Sequence, residues 1–582
     1  DQKIFSLYNR IISLSDNRND AAIGYLGYGL CKLWSSDVVG AIENFYQINP
    51  KTFKYRSYSI ATCFRIIKKF DVAEKFYLKE IADSGYAEGS YRALADMYLK
   101  SNNQKKAIAL IYNKNAEQHL SRNKVKNLAY LDGNVSLFFV ALFQLIYERI
   151  NIIGLIAAFL ITITYLLFLR RIDIYKRKKW IFLLLVFFLG EIISFGSDYL
   201  SSIIYYDLGF SRNGKEIHDF FYSVFATGAV EEIIKIFPLL ILLIFSKSVS
   251  QPFHYILIAS VSALGFAFVE NLLYFNTDSI NIIHGRALIS VLGHMFYSSV
   301  IAYGLILAKF RGKINSVIAF FIFYILASIS HGLYNWLLDF GYSYLFVLYY
   351  LFIIRIWVAF INNSLNNSPH FDYKILFPAK KIQYFLVMSL TGILAFEYIA
   401  LGYIYGSETA NNTIQSTTST GSIVIFFLST RLSRFDLMKK QWKVINLKIN
   451  PFVFTAPLNY VGTEIRFITY KRKVLQGGFP EQTNNGIIIN RITVENDAIW
   501  KFKKRKKENN WFIVELNSPF VYENKMHNKV LIKFQGKDPG LIEGDEALAK
   551  LMIVENKDLL LKEKINRTEI QFVETIVVDN RV

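Results

Sequence analysis

Two adjacent carboxyls and an amine, Glu231-Glu232-x-x-Lys235, stand inside an apolar run from Phe220 to Phe245. On a helix Lys235 falls one turn from both glutamates, so the three can share hydrogen bonds. A charge at the bilayer centre costs about 2.5–3.5 kcal/mol on insertion scales, which makes a buried cluster a functional site by default. Three further apolar runs carry matching groups: Glu270 with Phe266, His294, and His331 with Asn335 on one helix face. A carboxylate beside an imidazole takes a proton from water as general base, and a second histidine with an asparagine donates to a developing oxyanion. That is equipment for hydrolysing an amide bond inside a membrane. Glu231, Glu232, Glu270, His294, His331 and Asn335 form the expected catalytic set, with Lys235 and Phe266 in support. The same glutamates and histidines suit Zn²⁺, but there is no His-Glu-x-x-His and no cysteine ligand. No cofactor is therefore expected, zinc being the lesser expectation. The bland alternative is an ion pair that pins helices together; four successive runs with such groups weigh against it.

The elements that must position these groups are membrane spans. The chain has 582 residues, 53% of them hydrophobic, and long apolar stretches, which is the composition of a polytopic membrane protein. Spans are expected at 152–169, about 180–206, 220–245, 253–275, 287–308, 317–338, 344–361 and 383–405, with a ninth possible at 422–430 after a Ser/Thr/Asn-rich loop over 406–421. The net charge of +20 is assigned to basic cytoplasmic loops, and no nucleic-acid partner is expected. Those loops are 170–179, 309–313, the stretch with Lys374, Lys380 and Lys381, and the tail with Arg431, Arg434, Lys439 and Lys440. Successive helices run in opposite directions. With the basic loops inside, Glu231, Glu270, His294 and His331 all fall roughly 8–17 Å below the outer surface at about 1.5 Å per residue. They can form one layer in the outer half of the bilayer. Ala259, Ala263 and Ala267 form a small-residue stripe for close packing of the Glu270 helix.

The flanks are different. Residues 1–130 read as helices with an echo at about 34 residues, in which Ala61 with Ala73 returns as Ala95 with Ala107, a tetratricopeptide-like helical repeat domain suited to binding a protein partner. This unit is expected outside the cytoplasm unless Phe138–Tyr147 crosses. Cys31 and Cys63 suit small core positions and are too few for a disulfide framework. The chain opens on Asp1, so a start segment is expected to precede it. Residues 441–582 read as a mostly β soluble domain, with strands at 465–470, 486–494, 511–516 and 530–534. The expected fold is thus a polytopic α-helical membrane protein of about eight or nine spans, over 135–436, between these two domains.

Glu231-Glu232-x-x-Lys235, Phe266-x-x-x-Glu270, His294 and His331-x-x-x-Asn335 in successive spans resemble the PrsW family of intramembrane proteases, itself similar to the CAAX-prenyl endopeptidase group. The resemblance covers about 180–360, a protease-like core. It implies a glutamate-activated water, a membrane-protein substrate cut near the extracytoplasmic side (an anti-sigma factor in the best-known case), and a place in the bacterial inner membrane. Glu270 stands where the CAAX group has a histidine, so that group's mechanism carries over only in part. The competing classes are an ion- or proton-coupled transporter, for which no inverted repeat is found, and a catalytically inactive scaffold.

Overall fold

The computed structural model describes residues 2–14, 18–49, 53–275, 280–312, 314–371 and 377–432, then the strands of a C-terminal sheet with a few isolated residues. Lys374, Arg434 and Lys439 lie outside the described residues. The chain divides into two compact units, Asp1–Arg149 with Ser202–Gly209, and the remainder.

The first unit is a succession of short helices from Gln2–Leu14 to Val135–Arg149, each packed on its neighbours in sequence. Small side chains set that packing: Ala41, Ala61, Ala73, Ala95 and Ala107 are all fully buried. Glu80 is buried too, and its carboxylate accepts the N–H groups of Tyr55, Tyr58 and Tyr86 at 2.7, 3.1 and 2.9 Å. One side chain thereby satisfies the free N–H groups at the starts of the helices Arg56–Ile66 and Ala87–Lys100. Cys63 lies in the core and Cys31 is half-exposed; both are free thiols. The helix Val135–Arg149 ends before Ile152–Ile172 begins, so it is a separate element and not an extension of that helix.

Among the described residues seven helices are long and apolar enough to cross a membrane. They are Ile152–Ile172, Trp180–Asp207, Pro252–Tyr274, Ile280–Arg311, Ser316–Asp339, Ser343–Asn366 and Ala379–Tyr405. A further helical run from Glu216 to Phe245 carries Glu231, Glu232 and Lys235, and its charges rather than its length set it apart from the seven. Ala259, Ala263 and Ala267 are fully buried in the Pro252–Tyr274 helix. Residues expected as a Ser/Thr-rich loop are instead the start of a helix, Ser407–Leu432. Its hydroxyls bond back onto the preceding turn, Thr413 to Thr409 O at 3.0 Å and Thr418 to Ile414 O at 2.6 Å, which removes their pull toward irregular backbone.

The C-terminal strands β1 (Glu464–Thr469), β2 (Gln482–Glu495), β3 (Lys507–Tyr522), β4 (Lys525–Phe534), β5 (Glu546–Val554), β6 (Lys564–Asn566) and β7 (Ile570–Asp579) form one sheet. Its order is β1-β7-β5-β4-β3-β2-β6, and β1 also pairs with β2, which closes the sheet on itself. Alternation sends Phe512, Val514 and Ile532 to one core and Trp511, Ile513 and Leu531 to another, one on each face.

Candidate active site

Two helical runs that bring carboxylates and imidazoles together contain a wide i→i+5 turn, Ser223–Ala229 before Glu231 and Arg286–Ser290 before His294. Such turns interrupt the regular bond ladder and leave carbonyls in need of partners. Tyrosines supply them. Tyr324 donates to Ala229 O at 2.8 Å, Tyr165 to Ala287 O at 2.6 Å, and Tyr350 to Leu288 O at 2.7 Å. The His331 helix approaches closely because both contact surfaces are glycine. A Cβ on Gly228 would lie 2.5 Å from Ser328 O, and one on Gly332 would lie 2.5–2.7 Å from Val224.

The centre of the cluster is Lys235, with no side-chain exposure. Its ammonium donates to Glu231 Oε2 at 2.8 Å, to Glu232 Oε1 at 3.0 Å and to His294 Nδ1 at 2.7 Å, which uses all three N–H bonds. It also sits over the Phe266 ring, 4.4 Å from the centroid. The Pro252–Tyr274 helix is tied beneath it by Ser262 Oγ, which donates to Lys235 O at 2.7 Å. Because His294 Nδ1 accepts from Lys235, the His294 proton is on Nε2, and this nitrogen donates to Glu270 Oε2 at 2.9 Å.

The two adjacent glutamates have different surroundings. Glu232 is fully buried and accepts from His331 Nδ1 at 2.9 Å and Ser298 Oγ at 2.9 Å as well as from Lys235. Its bond to His331 puts the imidazole proton on Nδ1 and leaves a lone pair on Nε2. Glu231 is 15% exposed, and its Oε2 lies 3.8 Å from that Nε2 and 4.0 Å from His294 Nδ1. Tyr297 stacks on the His331 ring at 4.8 Å and holds its plane.

A cavity of about 520 Å³ opens in front of this cluster. Glu231, Glu270, His294, His331 and Asn335 line it, together with Thr227, Tyr274, Arg286 and Tyr334. Glu232, Lys235 and Phe266 are not on its wall. They stand behind it and hold the groups that are, which the expected grouping of the two glutamates in one cavity did not distinguish. Arg286 was not singled out from the sequence. Its guanidinium donates to Glu270 Oε2 at 2.7 Å and Asn271 Oδ1 at 2.7 Å. An arginine directly before an apolar run, facing a span that holds a glutamate, was the available signal. Ser298, about one turn after His294 on the same helix, was not singled out either.

One donor atom each of Glu231, His294 and His331 lie within 4.8 Å of one another, a set that suits a divalent cation in type. The Lys235 ammonium stands 2.8 Å from Glu231 Oε2 and 2.7 Å from His294 Nδ1 and places a positive charge beside this set.

The family model described as PrsW family intramembrane metalloprotease matches residues 178–361. A protein called Protease PrsW from Clostridioides difficile is 27% identical over 194 residues, 32% of this chain and 80% of that protein. Another Protease PrsW, from Oceanobacillus iheyensis, is 29% identical over 142 residues, 24% of this chain and 64% of that protein.

Proposed function

The membrane core of this chain, residues 178–361, belongs to the PrsW family of intramembrane proteases, and from that premise we propose an endopeptidase that cuts a membrane-protein substrate with a water activated by Glu231 and His331. The observation that carries the reading is the position of Glu231. It is the member of the Glu231/Glu232/Lys235 cluster that reaches the cavity, and it faces an imidazole nitrogen with a free lone pair. Glu231 takes the water proton as the hydroxide adds to the scissile carbonyl, and Asn335 and Tyr334, both on the wall, are the donors available to the oxyanion. His294 is held neutral with its proton on Nε2 by Lys235 and Glu270, and its role is to orient Glu270. Lys235 and Arg286 carry the positive charge of the site, and the reading needs no metal.

The cavity is lined at its rim by Arg212, Tyr274, Ile282, Leu338 and Asp339. Tyr274, Ile282, Leu338 and Asp339 lie at helix ends, and Arg212 in the connection between Asp207 and Glu216, on the side opposite the helix ends that lead into the basic stretches 170–179 and 309–313. That supports a site entered from the extracytoplasmic side of a bacterial inner membrane. The helical unit at the N-terminus is offered as a surface for a protein partner.

The test is incubation of the purified chain with single-span membrane proteins, wild type against Glu231→Gln. Cleavage by the wild type and its loss in the variant is expected, a fall of at least about 10²-fold for a general base. Equal cleavage by both would end the reading, and a transporter or inactive scaffold would give no cleavage by either. One zinc bound per chain, with cleavage lost on chelation, would overturn the metal-free part alone.

A further inference from the structure

Glu397 lies in the Ala379–Tyr405 helix, beyond the matched segment, and is 1% exposed. A carboxylate placed there is costly unless its oxygens are used. Both are. Oε2 accepts the backbone N–H of His284 at 2.9 Å, and Oε1 lies 2.8 Å from His284 Nδ1. His284 belongs to the start of the helical run Ile280–Arg311, where N–H groups have no partner within the helix and anions are favoured. Glu397 is therefore a cap supplied to that run by another helix.

The same run carries the site. Arg286 is two residues on from His284, followed by Ser290, His294 and Ser298. Arg286 Nη2 and His294 Nε2 both donate to one oxygen, Glu270 Oε2, at 2.7 and 2.9 Å. A shift or rotation at the start of the run moves Arg286 relative to Glu270, and with it the bond that holds His294. Tyr165 and Tyr350 secure the carbonyls of this stretch, whereas Glu397 secures its N–H end.

We propose that Glu397 is a positioning residue of the active site: through His284 it fixes the start of the His294 helix, and through Arg286 the geometry of Glu270 and His294. The membrane core shared with the relatives is then completed, in this chain, by a helix that follows it. The proposal rests on the protease reading only for its effect on rate; the geometric effect is measured without it.

The test is carbethoxylation of histidines by diethyl pyrocarbonate in the full-length detergent-solubilised protein, mapped by mass spectrometry. In the wild type both nitrogens of His294 are engaged, and it should be protected. Glu397→Ala should raise its labelling about tenfold, the effect of losing a hydrogen bond to a charged group. Glu397→Gln can still accept the backbone N–H and donate to a neutral Nδ1, and should restore protection. His284→Ala removes only the side-chain half of the link and keeps the backbone N–H, so it should raise His294 labelling less than Glu397→Ala does. His254, fully buried and bonded to Lys176 O at 3.0 Å, is the control and should stay protected throughout. Unchanged His294 labelling in Glu397→Ala, or His254 labelling that rises with it as in general loosening, would overturn the proposal. With the single-span membrane proteins of the cleavage assay above as the probe, kcat should fall in Glu397→Ala with KM unchanged. The labelling pattern without cleavage by any form would remove the protease reading and leave the positioning role standing.

Discussion

Adjacent residues on a helix point about 100° apart, so Glu231 and Glu232 cannot share an environment. Glu232 points into protein, where a lysine, a histidine and a serine use its oxygens; Glu231 points to the cavity. Their replacement should therefore differ in kind. Glu232→Ala leaves a fully buried ammonium short of an acceptor and unhooks His331, a loss on the order of 3–5 kcal/mol for a broken buried pair. Its thermal midpoint in detergent should fall sharply, whereas that of Glu231→Gln should stay near the wild type. Equal midpoints would show that Glu232 is not the hub. That the four polar helices meet was legible in the sequence, because a Glu or His in an apolar run is conspicuous and alternating helix direction lets depths be compared. Which glutamate faces the cavity was not legible, since that depends on the rotation of a helix about its own axis. Arg286 escaped for a related reason: a basic residue at the edge of an apolar run reads as a loop charge until the helix is seen to continue past it. In the helical unit, burial pushes the Cys63 thiol up to about 11, so almost none of it is thiolate at neutral pH. Iodoacetamide on the native protein should label the half-exposed Cys31 well before Cys63, as read by peptide mass spectrometry; comparable rates would mean that this core opens readily.

At the scale of elements the site depends on two wide turns and one glycine crossing. No sequence period announces an i→i+5 turn, because one extra residue in a turn is a choice made by packing, and here the tyrosines that accept its consequences come from three other helices, at 165, 324 and 350. The helices themselves were readable from length and apolarity. The Ser/Thr-rich start of Ser407–Leu432 was not, since composition alone does not show that hydroxyls will bond within the helix. The crossing of Gly228 and Gly332 sets how far His331 stands from Glu232. Gly332→Ala places a methyl within 2.5–2.7 Å of Val224, partly against backbone, so the helix must move away. A displacement of about 1 Å at a reacting group costs on the order of 100-fold in rate. We expect Gly332→Ala to lose about that much cleavage while the protein remains folded. Full activity in this variant would mean that the His331 helix tolerates the shift, and that the imidazole is not held to the precision the site implies.

For the whole molecule the decisive question is which side is cut. Lys and Arg gather in 170–179 and 309–313, and the positive-inside rule puts these stretches in the cytoplasm. The helices Ile152–Ile172 and Ile280–Arg311 end there. Ile282 of the cavity lining is at the far end of Ile280–Arg311, and two other lining residues, Arg212 and Asp339, form an ion pair at 2.6 Å. A peptide bond reaches Glu231 only where water also reaches it, and on the proposed reading both enter past Arg212, Tyr274 and Asp339. On the function proposed above, the substrate presents its scissile bond near the extracytoplasmic end of its span, where a helix is more easily unwound because water can pair with the freed backbone groups. The expected outcome is a new terminus within the outer half of the substrate's span or just beyond it. Mass spectrometry of the products of a reconstituted single-span substrate locates that terminus. A cut in the cytoplasmic half would mean that the basic stretches do not mark the inside, or that substrate reaches Glu231 by a route other than the rim. Moving the basic residues of 309–313 to neutral ones and scoring the side of a terminal reporter would separate the two explanations, since only the first predicts that the orientation was misassigned.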